Sequence, residues 1–94
     1  MNLVQLADQP RLSAFHVACS LPRDPEFREW LRIEAERECD IALPPITPDE
    51  ATTYIRWVCE ITSRNELKNN PKAAHRFETL VRRPFVAWRR NQQH

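Results

Sequence analysis

Two pairs of residues in this 94-residue sequence have the types and spacing that catalysis can use. Ser13 and His16 are one helical turn apart and could serve as nucleophile and base, but the sequence supplies neither a group to orient the histidine nor an oxyanion hole. Glu34 and Glu38 are also one turn apart and could share a proton, although the neighbouring arginines favour a solvated helix face. We therefore predict that the protein is not an enzyme.

The cysteines and histidines lack the spacing of a metal site. Cys19, Cys39 and Cys59 are odd in number and far apart, whereas zinc sites use close pairs of ligands. His16 and Cys19 are the nearest candidate pair, and no second pair follows them. The sequence also contains no glycine, which excludes the glycine-rich loops that bind nucleotide phosphates. We expect free thiols in a reducing cytoplasm, no metal and no cofactor.

Charge is divided unevenly along the sequence. Residues 1–63 carry six arginines and eleven acidic residues, whereas residues 64–94 carry eight basic residues and two acidic ones. Arginine outnumbers lysine twelve to two, and its planar guanidinium makes bidentate contacts with phosphates and carboxylates. A charged partner would explain this division, and so would neutralisation of the acidic second helix by the basic last helix within the fold. The candidate phosphate- or partner-binding residues of the last helix are Arg76, Arg82, Arg83, Arg89 and Arg90.

Trp57 and the neighbouring Arg56 form a second candidate contact. Trp57 lies outside the apolar stripe of Tyr54, Ile55 and Val58. It is therefore either exposed, as an interface hot spot beside an arginine, or buried against the short helix that follows. Both alternatives are compatible with the sequence.

Helices must position these residues, because capping residues and prolines recur where helices begin. Asp8, Asp24 and Asn70 are single caps, and Thr47 and Ser63 each begin a capping box. The predicted helices span residues 9–19, 25–39, 48–61, 64–69 and 71 onward. The inner face of the last helix is predicted to contain Ala74, Phe77, Val81, Phe85 and Trp88. Aromatic residues among arginines could also stack on bases, but helical spacing favours a core face.

Pro84 falls inside the last predicted helix and is expected to kink or break it, because proline cannot donate the bond to the carbonyl of Leu80. No segment has the clean alternation of a strand. We predict an all-α fold, a compact bundle of four to five short helices in one domain that spans residues 1–94.

Residues 57–88 resemble a group of small proteins encoded by temperate bacteriophages and prophages. The matching residues are Cys59-Glu60-Ile61-Thr62-Ser63-Arg64-Asn65-Glu66-Leu67, Ala74, Phe77, Arg83-Pro84-Phe85 and Trp88. The resemblance implies a cytoplasmic accessory protein of phage type. Phage accessory proteins of this size commonly bind host machinery that handles nucleic acid and disable or redirect it.

These observations lead to three hypotheses. The first is a non-enzymatic accessory protein that binds and inhibits or modulates a bacterial nucleic-acid-processing or defence complex, in the manner of an anti-CRISPR protein or a modulator of recombination or restriction. Either the acidic second helix or the basic last helix could contact that complex. The alternative is a nucleic-acid-binding module whose five arginines contact DNA or RNA phosphates, with a salt slope of about −4 to −5. The third is a homodimer with Trp57 and Trp88 at its interface. In each case we expect a protein of the bacterial host cytoplasm without a membrane segment.

Overall fold

A computed structural model of the chain describes residues 13–92, which form an all-α bundle as predicted. The α-helices are α1 (Ala14–Ser20), α2 (Pro25–Cys39), α3 (Pro48–Cys59), α4 (Pro71–Phe77) and α5 (Arg83–Gln92). Two 3₁₀ helices, Leu21–Arg23 and Arg64–Lys68, lie between them, and a π turn, Glu78–Arg82, joins α4 to α5. Residues 13–92 contain no strand.

Side chains that accept hydrogen bonds from backbone amides fix the starts of α2, α3 and α4. Oδ1 of Asp24 accepts the N–H of Glu26 at 2.9 Å. Thr47 and Glu50 form the predicted capping box, in which each side chain accepts the backbone N–H of the other residue at 3.1 and 2.9 Å. Asn70 caps α4. The predicted starts at residues 25, 48 and 71 are therefore confirmed.

Helix α1 begins later than predicted, and α3 ends earlier. Ser13 is the N-cap of α1, and its extended backbone (φ −69°, ψ 158°) excludes a helix that continues through it. The predicted cap, Asp8, and residues 9–12 lie outside the described residues. Helix α3 ends at Cys59 instead of near Ile61, because Glu60 adopts a left-handed conformation with φ 60°.

The core is built from one face of each helix. Val17, Phe27, Ile55, Phe77 and Phe85 are fully buried. The Phe27 and Phe85 rings meet edge to face, with 5.3 Å between their centroids, so α2 packs on α5 through aromatic contacts. Burial of each such side chain contributes roughly 1.5–3 kcal/mol to stability.

The predicted inner face of the last helix is largely confirmed. Phe77, Val81 and Phe85 are fully buried. Ala73 is buried where Ala74 was expected, and Ala74 is only half-buried. The helix turns by about 100° per residue, so this shift of one position rotates the buried stripe at the start of α4.

The last helix passes through Pro84 without a break, and the predicted disruption takes the form of the π turn. In a regular α-helix the proline ring would clash with the carbonyl of Leu80. Instead, the N–H of Arg83 bonds to the carbonyl of Glu78, five residues back. The wider turn directly before Pro84 admits the ring while the backbone stays helical.

Candidate functional site

Two of the five arginines predicted to bind phosphate or a partner lie inside the fold. Arg89 is 1 % exposed; its Nη1 lies 3.3 Å from Oδ2 of Asp24, and its guanidinium lies 4.7 Å from the centroid of the Phe85 ring. Arg82 is 7 % exposed and pairs with Glu78 at 3.0 Å. Both side chains are occupied in internal contacts, so the structure gives no support to the prediction that Arg82 and Arg89 bind a partner.

The other three arginines remain at or near the surface. Arg76 is half-buried and pairs with Glu60 at 2.9 Å. Arg83 and Arg90 are exposed and lie about two turns apart on one face of α5. The basic surface of the last helix is thus smaller than the sequence predicts.

Trp57 is 74 % exposed, so the alternative in which it is buried against the short helix is wrong. Its ring centroid lies 6.4 Å from that of the half-buried Tyr54, and Arg56 beside it is exposed. Trp88, in contrast, is half-buried and stacks on Phe85 at 6.2 Å. Trp57 therefore presents a large apolar surface to solvent, whereas Trp88 belongs to the edge of the core.

Trp57 lines an open groove of about 660 Å³ formed by α2, α3, the linker between them and the last helix. The lining of the groove is mainly apolar. Its apolar residues include Trp30, Leu31, Ala35, Ile46, Tyr54 and Leu80. Trp30 and Leu31 are nearly buried, whereas Leu80, from the π turn, is 46 % exposed. The groove therefore extends from the buried core to two exposed apolar side chains, Trp57 of α3 and Leu80 of the π turn.

The charged residues that line this groove are all acidic within the described part of the chain. They are Glu34 and Glu38 of α2 and Glu50 of α3. Burial, and then the nearby charge of Glu34, raises the pKa of Tyr54. The groove is thus an apolar surface in a negative electrostatic field, which suits a ligand with apolar and cationic groups.

The Ser13–His16 pair forms, but as part of a helix cap. Oγ of Ser13 lies 2.6 Å from Nδ1 of His16 and also accepts the His16 backbone N–H. Both residues are exposed. No carboxylate within residues 13–92 hydrogen-bonds to the histidine, so nothing in this range orients it as a base.

The cysteines differ in environment. Cys59 is buried, and this burial raises the pKa of its thiol to about 11. Cys39 is exposed and lines the groove. Among residues 13–92, no cluster of three His, Cys, Asp or Glu side chains could hold a metal ion. In the same range, no helix has the length and apolar character to cross a membrane.

Sequence reasoning singled out Trp57 but missed the groove beside it. It treated Glu34 and Glu38 as a solvated helix face and gave Leu80 no role. The available signal was that Leu80 is a large apolar residue outside the stripe of Phe77, Val81 and Phe85. One such residue is common on protein surfaces, and only its convergence with Trp57 in one groove indicates a contact site.

The chain matches no protein-family model, no curated protein and no solved structure.

Proposed function

We propose that this protein is a non-enzymatic accessory module that binds and inhibits or modulates a bacterial complex acting on nucleic acid, such as a restriction, CRISPR or recombination complex. The observation that carries the protein-binding part is the 74 % exposure of Trp57 at an acidic, apolar groove. A tryptophan in this position costs solvation free energy in the isolated chain, and tryptophan is enriched among the residues that dominate interface energies.

The chemistry of α2 supports a partner that handles nucleic acid. The helix carries five glutamates against three arginines and is therefore net negative, although Glu29, Glu34 and Glu36 pair with arginines of the same helix. Proteins that bind nucleic acid present basic surfaces to phosphates. An acidic helix beside an apolar anchor can occupy such a surface in competition with phosphate. The resemblance of residues 57–88 to phage accessory proteins supports the cytoplasm of a bacterial host as the setting.

The nucleic-acid-binding alternative has less support. Arg82 and Arg89 are buried in internal ion pairs, which leaves Arg76, Arg83 and Arg90 as phosphate contacts. The homodimer hypothesis is also weakened, because Trp88, one of its two predicted interface residues, is half-buried and stacks on Phe85. The acidic surface at Trp57 therefore takes precedence over the basic surface of α5 as the binding site.

The proposal can be tested by expressing the protein in a bacterium that carries one defined restriction, CRISPR or recombination system. The readout is plating efficiency of a targeted phage, or recombination frequency. We expect the wild type to change this readout at least tenfold for one class of system, and Trp57→Ala to abolish the change. Ile41→Ala is the matched control, because Ile41 is 59 % exposed and does not line the groove. Wild-type expression without effect in all three classes would overturn the proposal.

A further inference from the structure

We infer that the groove binds a basic amphipathic helix of a protein partner, with apolar residues against Trp57 and Leu80 and cations against Glu34 and Glu38. This inference rests on the proposed protein-binding function and specifies the chemistry of the partner. The structural basis is the combination in one groove of exposed apolar side chains with a charge of one sign.

The apolar contacts come from two elements that face the same space. Trp57 lies on α3 and Leu80 on the π turn, and they are 74 % and 46 % exposed. Tyr54 lies between them and the core, since it is half-buried, lines the groove and contacts Trp57. Anchors on opposite elements favour a ligand that lies between the helices and covers both, which is how an amphipathic helix occupies a groove.

The carboxylates have the spacing that a helical partner matches. Glu34 and Glu38 are one turn apart on α2, a rise of about 6 Å. Lysine or arginine at positions i and i+4 of a partner helix has the same spacing. Arg37 approaches Glu34 at 3.3 Å, but its side chain is 70 % exposed, so this pair is weak and easily displaced. Glu50 adds negative potential while its carboxylate caps α3.

Other occupants fit less well. The three groove carboxylates would repel nucleic acid and acidic peptides. Within residues 13–92, a second copy of this chain could offer α4 or α5 as a basic helix, but Ala73 and Phe77 of α4 and Phe85 of α5 are buried, so neither helix has its apolar face available. Lys72 and Arg76 of α4 have the i, i+4 spacing, but Arg76 already pairs with Glu60, and Arg83 and Arg90 of α5 are seven positions apart. A basic amphipathic helix from a different protein is therefore the occupant that can both cover the exposed apolar side chains and pair with the groove carboxylates.

Synthetic peptides provide the direct test. The probe is a fluorescently labelled 18-residue peptide with leucines on one helical face and lysines at i, i+4 spacing beside it. Anisotropy should report binding in the micromolar range that weakens as salt rises. The same peptide with glutamate in place of lysine should not bind, and a scrambled peptide of equal composition should bind at least tenfold more weakly.

Variants of exposed residues locate the site. Trp57→Ala, Leu80→Gln and the double variant Glu34→Gln/Glu38→Gln should each weaken peptide binding at least tenfold. The matched controls are Glu29→Gln, on the same helix outside the groove, and Ile41→Ala; both should bind as the wild type does. Circular dichroism and thermal melts verify that each variant is folded. Binding that none of the groove substitutions weakens would overturn the inference.

Cys39 gives a second readout in the unmodified protein. It is exposed and lines the groove, so bound peptide should slow its alkylation at least fivefold. Cys19, which is half-buried and outside the groove lining, should be unaffected. Mass spectrometry of the proteolysed chain measures both rates. Equal alkylation of Cys39 with and without saturating peptide would contradict the inference.

The outcomes separate the inference from the proposed function. Absence of peptide binding, combined with a plating effect that Trp57→Ala removes, would overturn the basic helix and leave the proposed function intact. Peptide binding at the groove without any plating effect would support the inference and overturn the proposed function. Light scattering that shows a dimer sensitive to Leu80→Gln would identify a second copy as the occupant and overturn the inference.

Discussion

Arg89 and Asp24 are 65 positions apart in the chain, yet Nη1 of the arginine lies 3.3 Å from Oδ2 of the aspartate. The other carboxylate oxygen of Asp24 accepts the N–H of Glu26 at the start of α2. One carboxylate therefore fixes the beginning of α2 against α5, and the guanidinium completes the contact by lying over Phe85. Arg89 connects two helices inside the fold.

Loss of Arg89 should destabilise the protein strongly. In Arg89→Ala the buried Asp24 carboxylate loses the cation that pairs with it, and the Phe85 ring loses the guanidinium that packs over it. Breaking a buried pair on one side costs about 3–5 kcal/mol in free energy of unfolding. Urea denaturation measures the change. Arg90→Ala, at the exposed neighbouring position, is the control and should alter the free energy by less than ~0.5 kcal/mol. Equal effects of the two substitutions would contradict the structural role of Arg89.

Salt dependence tests the reduced basic surface. Of the five arginines predicted to bind phosphate, Arg76, Arg83 and Arg90 remain placed to reach it, and each contact contributes about −0.9 to the slope on duplex DNA. The exposed Lys68 and Lys72 could add further contacts, so the test uses the Lys68→Ala/Lys72→Ala variant. We expect any binding of this variant to labelled duplex DNA between about 50 and 200 mM salt to have a slope no steeper than about −3. A slope of about −4 to −5 in the variant would contradict the burial of Arg82 and Arg89 and restore the nucleic-acid-binding hypothesis.

Acid should destabilise the protein through Glu66. Its carboxylate accepts the hydroxyl and backbone N–H of Thr62, both at 2.8 Å, and the N–H of Ser63 at 3.1 Å, and these bonds hold its pKa below the ordinary value of 4.5. The unfolded chain therefore takes up the proton first as pH falls. This contribution is complete above pH ~4.5 and is lost as pH falls through the lower pKa of the folded state.

The substitution Glu66→Gln isolates this effect. It should lower stability at pH 6 and flatten the fall in stability between pH 6 and pH 3. The measurement is a series of urea denaturation curves for wild type and variant across that range. An identical pH dependence in the two proteins would show that the Glu66 hydrogen bonds do not contribute.

Thiol reactivity should separate Cys59 from Cys39. Burial raises the pKa of Cys59 to about 11, so only about 0.1 % of it would be thiolate at pH 8, and thiolate is the reactive form. We expect iodoacetamide to modify the exposed Cys39 at least a hundredfold faster, as followed by mass spectrometry. In concentrated urea the two rates should converge. Similar rates in the folded protein would contradict the burial of Cys59.

Features governed by nearby residues could be predicted from the sequence. The starts of α2, α3 and α4 depend on hydrogen bonds within three residues, made by Asp24, Thr47 and Asn70. Local chemistry was ambiguous at α1, where Asp8 and Ser13 are both good capping residues. Sequence pattern gave no ground for preferring Ser13.

Features that require distant parts of the chain to meet could not be predicted. Arginine is normally a surface residue, and the burial of Arg89 depends on its contact with Asp24, which lies 65 positions earlier in the chain. Trp57 could be identified as an outlier from its stripe, but its exposure depends on what the other helices cover. The groove is assembled from α2, α3, a linker and the π turn, so no single segment carries its pattern.

The π turn also sets a rule for how this chain can change length by mutation. The buried residues Ala73, Phe77, Val81, Phe85 and Arg89 recur every four positions, whereas a regular helix completes a turn in 3.6, so its stripe would drift by about 40° per step. Over the four steps from Ala73 to Arg89 this drift would total about 160°, and the π turn, which accommodates one extra residue, offsets about 100° of it. Loss of that residue from Glu78–Arg82 would leave a regular α-helical turn, in which the Pro84 ring clashes with the carbonyl four positions before it. Deletion of one residue between Phe85 and Arg89 would instead rotate the end of α5 by about 100° and carry Arg89 away from Asp24. Homologues with this architecture should therefore accumulate insertions and deletions outside the segment that runs from the π turn to Arg89.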